Sequence, residues 1–220
     1  MPKDRTKVIY NYPPQRAVLP APSQPRIPEG AVVVTYVGQI SKRKGVEVLI
    51  EAVGRMIKGG RNLVLWVIGE PAWDDGFLDE MKRRTTEAGL SQRICFFGYV
   101  QNVLSILERS DIHVCPSLEL EGLSNVALEA KLCGKPSVVF PTGGLPELIE
   151  HEVDGYICRE QTVEALVEGI EFFLRDEARR RAAGLAAKES LEQKFGLRRF
   201  RAAWSEVFAE TLVKDEKQYA

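Results

Sequence analysis

Histidine and cysteine, on which zinc sites and many nucleophilic active sites depend, are scarce in this sequence. There are two histidines, His113 and His151, and neither has the neighbours that such a site requires. The four cysteines are widely spaced and lie mostly in or beside apolar segments: Cys95, Cys115, Cys133 and Cys158. They are predicted to be reduced thiols of a cytoplasmic protein. The acidic pair Asp74–Asp75 is predicted to cap the helix from Phe77, so no metal is expected.

The sequence also lacks an excess of charge of either sign, with 30 basic and 31 acidic residues. Nucleic-acid binding depends on a strongly basic surface, so this balance argues against a nucleic-acid partner. The arginine run at 179–181 is predicted to be a solvated helix face, and contact with an anionic membrane surface is the alternative. No apolar leader segment is present, so we do not expect secretion.

Short apolar runs of strand length, in contrast, are frequent. Six of them alternate with segments of helical periodicity: 31–38, 62–69, 93–100, 111–116, 136–140 and 155–158. Near-continuous apolar strands are typical of a parallel sheet that helices cover on both faces. We therefore predict an α/β fold, a Rossmann-like doubly wound parallel sheet of about six strands, in residues 31–195.

The two ends of the chain differ from this central domain. Residues 1–30 are rich in proline and are predicted to form an extended hinge or linker. Helices are predicted at 163–175 and 177–194, and a last helix occupies most of 196–220. Apolar residues line one side of that last helix: Phe200, Trp204, Val207, Phe208 and Leu212. This stripe packs either on the domain's own core or on another domain, because an exposed patch of that size is a liability.

Two glutamates separated by seven residues, Glu121 and Glu129, are the most informative feature. A strand is predicted at 111–117, and a helix is predicted to begin at Ser124 and to stop at Gly134. Glu121 then lies in a loop at the carboxyl end of a strand, and Glu129 lies about one and a half turns inside the helix. Carboxylates at such positions can accept hydrogen bonds from sugar hydroxyls. The alternative is that both glutamates are ordinary surface residues of a helix.

Backbone amides near these glutamates are suited to phosphate binding. The amides of Leu123, Ser124 and Asn125 open the predicted helix and would present donors to an anion. The double glycine Gly143–Gly144 follows the apolar run 137–141. Because glycine has no side chain, its backbone can approach a ligand closely, although a double glycine can also form an ordinary turn.

A basic loop follows the first predicted strand. Gly38 ends that strand, and the next six residues include Lys42, Arg43 and Lys44. Open α/β sheets bind ligands at the carboxyl ends of their strands, where cations would neutralise a diphosphate. The alternative is a solvated basic loop that binds no ligand.

Together these motifs resemble the C-terminal, donor-binding domain of retaining glycosyltransferases with the GT-B fold, the large family 4 group also described as glycosyl transferases group 1. They are Glu-Gly-Leu-Ser-Asn-Val-Ala-Leu-Glu at 121–129, Gly-Lys-Pro at 134–136 and Gly-Gly-Leu-Pro-Glu at 143–147. The resemblance covers roughly residues 31–195. It implies transfer of a hexose from a nucleotide diphosphate sugar to an acceptor with retained configuration. Polysaccharide or glycolipid synthesis is the implied process, and neither a metal nor another cofactor is required.

The resemblance also implies a role for each candidate residue. Glu121 would contact the sugar hydroxyls and Lys44 the diphosphate, and these two are the predicted catalytic residues. Glu129 would bind the ribose. Residues 93–100 would form the strand and loop beside the nucleotide base. The full set of predicted donor-binding residues is Gly38, Gln39, Arg43, Tyr99, Gly122, Leu123, Ser124, Asn125, Glu129, Gly143, Gly144 and Leu145.

In one position the sequence departs from the family's pattern. Gln39 stands where such enzymes usually carry an arginine, which leaves Lys42 or Arg43 to supply the missing charge. The acceptor site of these enzymes belongs to an N-terminal domain, present in cis or as a separate chain, so we expect this chain alone to be inactive. The expected location is the cytoplasm, with the inner face of the membrane as a further hypothesis.

Two other functions remain open from the sequence. The first is a degenerate sugar-nucleotide-binding module that acts as a scaffold or sensor, and Gln39 favours it. The second is a different GT-B activity, such as nucleotide-sugar epimerisation or a phosphorylase reaction. It is disfavoured because epimerases and phosphorylases carry other site motifs.

Overall fold

A computed structural model describes residues 7–13, 25–71, 73 and 76–218, with side chains up to residue 210. Most of the predicted linker lies outside these residues, and so do the predicted Asp74–Asp75 cap and the Leu212 side chain.

The centre of the fold is a six-stranded parallel sheet. Its strands are β1 Val32–Val37, β2 Leu63–Ile68, β3 Ile94–Gly98, β4 Ile112–Cys115, β5 Ser137–Val139 and β6 Gly155–Ile157. Their order across the sheet is β3-β2-β1-β4-β5-β6, and every neighbouring pair is parallel. The predicted α/β, Rossmann-like, doubly wound sheet is confirmed. Because the chain first builds outward from β1 to β3 and then outward from β4 to β6, the order reverses between β1 and β4, where folds of this kind form a crevice.

Helices cover both faces of the sheet. They are α1 Val46–Lys58, α2 Phe77–Glu87, α3 Val103–Leu107, α4 Asn125–Leu132, α5 Leu145–Leu148, α6 Val163–Leu174, α7 Glu177–Phe195 and α8 Leu197–Gln218, and a short 3₁₀ turn spans Lys42–Lys44. Side-chain caps set where several of them begin. The side chains of Ser124, Thr162 and Asp176 each accept a hydrogen bond from an amide of the first turn of α4, α6 and α7, respectively.

Alternate residues of β2 pack against opposite faces, and all six are buried. Leu63, Leu65 and Val67 belong to a core cluster shared with α1 and α6. Val64, Trp66 and Ile68 instead pack with Ile106 of α3. A strand that is buried on both sides cannot alternate apolar and polar residues, which explains its continuous apolar run.

A buried ion pair lies behind the sheet's second half. The Lys131 ammonium of α4 and the Asp154 carboxylate are 2.5 Å apart, and both side chains are at most 1% exposed. The Ser190 hydroxyl of α7 lies 3.3 Å from the same ammonium, and the Glu150 amide donates to the other Asp154 oxygen at 2.9 Å. Burial lowers the pKa of Lys131 from its usual value. No motif in the sequence predicts this pair.

Residues 7–13, near the start of the predicted linker, pack on the domain. The Tyr10 ring lies edge-on to Phe195 with ring centroids 5.3 Å apart, and its hydroxyl donates to Glu147 at 2.6 Å. These contacts fix one end of the predicted linker beside α5 and α7.

Along α8 the aromatic side chains form a row. The ring centroids of Phe200 and Trp204 are 6.4 Å apart, and those of Trp204 and Phe208 are 5.7 Å apart. Trp204 is 40% exposed and Phe208 is 60% exposed. The described residues therefore leave much of this row uncovered, and the predicted domain boundaries stay predictions. Within the described chain, no helix combines the length and apolarity needed to span a bilayer.

Candidate functional site

Three loops meet at the carboxyl edge of the sheet, where the strand order reverses. They follow β1, β4 and β5, and backbone hydrogen bonds join them. The Leu118 amide donates to the Arg43 carbonyl at 2.8 Å, and the Gly144 amide donates to the Glu121 carbonyl at 2.9 Å. The fold therefore brings the basic loop, the loop that carries Glu121 and the double glycine into one place.

The two predicted catalytic side chains contact each other. Lys44 and Glu121 are 77 positions apart in the sequence, yet the Lys44 ammonium forms an ion pair with Oε2 of Glu121. Their side chains are 18% and 16% exposed. The Ser117 hydroxyl donates to the same carboxylate oxygen at 2.8 Å. The structure thus places a cation, a carboxylate and a hydroxyl in one partly buried cluster.

A glycine allows the basic turn to reach this cluster. Gly45, at the start of α1, has φ +69°, and a Cβ atom there would lie 1.9 Å from the Pro116 carbonyl oxygen. Any side chain would therefore push the turn that carries Lys44 away from the end of β4.

The double glycine is a close backbone approach rather than an ordinary exposed turn. Gly143 has φ +54°, and a Cβ atom there would lie 1.8 Å from the Glu121 carbonyl oxygen. A Cβ atom at Gly144 would lie 3.2 Å from the Gly122 carbonyl oxygen. The loop after β5 therefore supports the loop that carries Glu121.

A cleft of about 410 Å³ opens at the same edge of the sheet, between the ends of β1 to β3 and α4. Four predicted donor-binding residues line it: Gly38, Gln39, Tyr99 and Glu129. Glu129 is 1% exposed, whereas Tyr99 is 71% exposed. The alternative that Glu129 is an ordinary surface residue is therefore wrong. Val126 and Glu70 also line the cleft and were not among the predicted site residues. Glu70 follows β2 in a loop without a recognisable motif, so no sequence pattern gave a reason to choose it.

At the edge of the cleft, Gln39 and Arg43 are paired. The Arg43 guanidinium donates to the Gln39 side-chain oxygen at 3.0 Å. The Tyr36 hydroxyl donates to the Gln39 carbonyl at 2.7 Å, which fixes the start of the loop. Gln39 thus holds a cation on the loop, although it is not itself the arginine that the family usually carries there.

The remaining predicted residues lie in the loop before α4, at the start of α4 and at the start of α5. Gly122 and Leu123 connect Glu121 to α4, which Ser124 caps and Asn125 begins. Leu145 is fully buried, so only its backbone is available to a ligand. Ser117 is the residue that sequence reasoning missed in the cluster. Its position after a buried strand and four residues before Glu121 is the only signal for it in the sequence.

The model of the family described as glycosyl transferases group 1 matches residues 20–190. The lipopolysaccharide core biosynthesis glycosyltransferase LpsD of Rhizobium meliloti is 29% identical over 209 residues, which cover 94% of this chain and 58% of that protein. The chain spans about half the length of the curated relatives it matches.

Solved structures agree with the family match. The C-terminal domain of LpcC from Francisella tularensis, a glycosyl transferase group 1 family protein, aligns with a TM-score of 0.70 at 25% identity, covering 76% of this chain and 87% of that one. Anabaena HepE in complex with UDP aligns with a TM-score of 0.76 at 24% identity, covering 82% of this chain and 49% of that one, and this likeness shows the fold. The resemblance inferred from the three motifs is confirmed for the family and the fold.

Proposed function

Because the chain belongs to the glycosyl transferases group 1 family, we propose that it is the donor-binding part of an enzyme that transfers a hexose from a nucleotide diphosphate sugar with retention of configuration. The observation that carries the proposal is the contact between Lys44 and Glu121 at the edge of the sheet where Glu129 lines a cleft. A cation for the diphosphate and carboxylates for the sugar and the ribose then lie along one edge of the sheet.

Each part of the donor has chemically matched partners in this arrangement. The diphosphate is proposed to bind Lys44, Arg43 and the amides that open α4, because fixed cations and amides stabilise the charge on a leaving diphosphate. Glu121 accepts hydrogen bonds from the sugar, and Glu129 accepts them from the ribose. The base enters the cleft near Tyr99. Structures of HepE hold UDP, UDP with glucose, and UDP-glucose, which supports this class of donor.

Arg43 is proposed to replace the arginine that the family usually carries at the position of Gln39. The Gln39 side chain accepts a hydrogen bond from the Arg43 guanidinium, so the pair presents a positive charge on the same loop. With two cations available for the diphosphate, the proposed reaction uses no metal ion.

The acceptor is proposed to bind an N-terminal GT-B domain, supplied in cis or as a separate chain. The exposed side chains of Trp204 and Phe208 in the aromatic row of α8 are the proposed contact with that domain. The name of LpsD supports polysaccharide or glycolipid synthesis as the process. Free thiols at all four cysteines support a reducing compartment such as the cytoplasm.

Contact with the inner face of a membrane stays a hypothesis. Within the arginine run, the Arg179 guanidinium lies 4.5 Å from the Phe172 ring centroid, and Arg180 donates to the Phe173 carbonyl at 2.9 Å. Arg181 forms an ion pair with Glu177 at 2.6 Å. These contacts within the domain favour the solvated helix face over a membrane-binding patch.

The proposal is tested by thermal shift with the diphosphates of uridine, guanosine and adenosine and their sugar conjugates. One nucleotide series at about a hundred times its dissociation constant should add roughly 2.7 kcal/mol of stability, or about 5–10 °C in Tm. Glu129→Ala should abolish this shift, because the ribose loses its carboxylate. Glu119→Ala, which removes an exposed carboxylate from the loop before Glu121, should preserve it. If none of the nucleotides or their sugar conjugates raises the Tm, the proposed donor site is contradicted.

A second candidate function is a degenerate sugar-nucleotide module that acts as a scaffold or sensor, and the specific observation in its favour is Gln39. Mixing the chain with candidate N-terminal domains separates the two proposals. We expect sugar transfer, measured as release of the nucleoside diphosphate, only in the mixture. Lys44→Met in the mixture should reduce it by at least a hundredfold, because the leaving diphosphate loses its cation. Donor binding without transfer in any mixture would favour the scaffold.

A further inference from the structure

One carboxylate oxygen has two partners in the site. Oε2 of Glu121 forms the ion pair with Lys44 and also accepts the hydrogen bond from the Ser117 hydroxyl at 2.8 Å. The proposed function assigns the Lys44 ammonium to the diphosphate and the Glu121 carboxylate to the sugar. In the structure, however, the Lys44 ammonium and the Glu121 carboxylate already bind each other.

The diphosphate must therefore compete with Glu121 for Lys44. Both are anions, and the ion pair is less than one-fifth exposed, so water screens the charges less than it would at the surface. A diphosphate that shared Lys44 with Glu121 would bring two like charges together around one ammonium. If Lys44 turns toward the diphosphate instead, the ion pair breaks and the two anions no longer share that ammonium.

Ser117 is fixed in a way that Lys44 is not. Its side chain is 1% exposed at the end of β4, and its carbonyl accepts a hydrogen bond from the Thr142 hydroxyl at 3.1 Å. The Glu121 backbone is held independently by the Gly144 amide at 2.9 Å. Lys44, in contrast, is a flexible side chain with three donors that can turn toward a new anion. The hydrogen bond from Ser117 can therefore persist when the ion pair is broken.

We propose that Ser117 is a positioning residue that keeps Glu121 in place while Lys44 turns from this carboxylate to the donor diphosphate. The inference rests on the proposed function. Its consequence is selection: a bare nucleoside diphosphate breaks the ion pair without compensation, whereas a sugar conjugate supplies hydroxyls to the carboxylate that Lys44 has left. After transfer, Lys44 returns to Glu121, which weakens the binding of the diphosphate product and favours its release.

Isothermal titration with UDP and UDP-glucose, with the matching guanosine and adenosine pairs run in parallel, tests the competition. Glu121→Gln should bind the diphosphate roughly tenfold more tightly than the wild type, because the neutral amide no longer competes for Lys44. The same variant should lose the preference for the sugar conjugate. Glu119→Gln, which removes one negative charge two positions away, is the matched control and should change both affinities less than about twofold.

A double-mutant cycle distinguishes competition for Lys44 from simple repulsion between two anions. If Glu121 acts by occupying Lys44, the gain from Glu121→Gln should vanish in a Lys44→Met background. A gain that persists there would overturn the proposal, and so would a diphosphate affinity that Glu121→Gln leaves unchanged or weakens.

Ser117→Ala tests the positioning role. It should change the diphosphate affinity less than about twofold and lower the preference for the sugar conjugate about fivefold or more, because only the sugar depends on the orientation of Glu121. An equal loss of affinity for the diphosphate and for its sugar conjugate would indicate a merely structural role for Ser117 and overturn the assignment. If the wild type binds the nucleotides and Glu129→Ala abolishes that binding, but Glu121→Gln does not raise the diphosphate affinity, this inference fails and the proposed function stands. A wild type that binds none of the nucleotides defeats the proposed function as well.

Discussion

Replacing Asp154 with alanine should destabilise the protein by about 3–5 kcal/mol, because it leaves the Lys131 ammonium buried without its counter-ion. This is a large fraction of the roughly 5–15 kcal/mol that separates folded from unfolded states of a domain. Urea unfolding, followed by circular dichroism, measures the loss.

Two variants control this result. Glu87→Ala removes one of the carboxylate partners of an exposed arginine, Arg83, and should lower the free energy of unfolding by less than about 1 kcal/mol. Lys131→Met combined with Asp154→Ala removes both charges and should recover a substantial part of the stability, since no buried charge is then left unpaired. A double variant as unstable as the single one would show that lost packing, rather than the unpaired charge, explains the effect.

The loss of unfolding free energy in Asp154→Ala should also depend on pH. Desolvation lowers the pKa of Lys131, and the bond to Asp154 opposes that effect, so the lysine pKa falls further in Asp154→Ala. A lysine whose folded pKa is depressed binds a proton on unfolding, and stability therefore rises with pH up to the unfolded pKa. Between about pH 7 and pH 9, the deficit of the variant relative to the wild type should shrink. A deficit that grew over this range would contradict a buried, unpaired ammonium.

Gly143→Ala is the second change with a large expected effect. The backbone at φ +54° is strained for alanine, and the new methyl group would lie 1.8 Å from the Glu121 carbonyl oxygen. Since this contact is with backbone, the two loops must separate. We expect a loss of about 2–4 kcal/mol in unfolding free energy and at least a tenfold loss in donor affinity.

Substitutions at other glycines separate backbone strain from the clash with the Glu121 carbonyl. Gly89 has φ +71° with open space around it, so Gly89→Ala measures strain alone and should cost about 1 kcal/mol. Gly122 also faces open space, and its backbone is not in the left-handed region, so Gly122→Ala should have little effect on unfolding. Equal destabilisation by Gly143→Ala and Gly89→Ala would show that the loops separate at no cost.

The strands and helices could be predicted because each depends on its own segment. The six apolar residues of β2 are bounded by Asn62 and Gly69, and the predicted run of 62–69 differs from the observed strand by one residue at each end. Ser124 likewise marks the start of α4, because its side chain caps the first turn. Burial and capping act within a few residues, so they leave a local pattern in the sequence.

The sequence by itself determined the fold class and the family, and it predicted which loops would carry the candidate site. The tertiary structure alone decided that Lys44 contacts Glu121, that Ser117 shares the carboxylate, and that Asp154 neutralises Lys131. The first of these contacts follows from the position of β1 beside β4 and from close backbone approaches at glycines. Lys44 and Lys131 find their partners 77 and 23 positions away. No local pattern specifies how strands are ordered or how near two loops come.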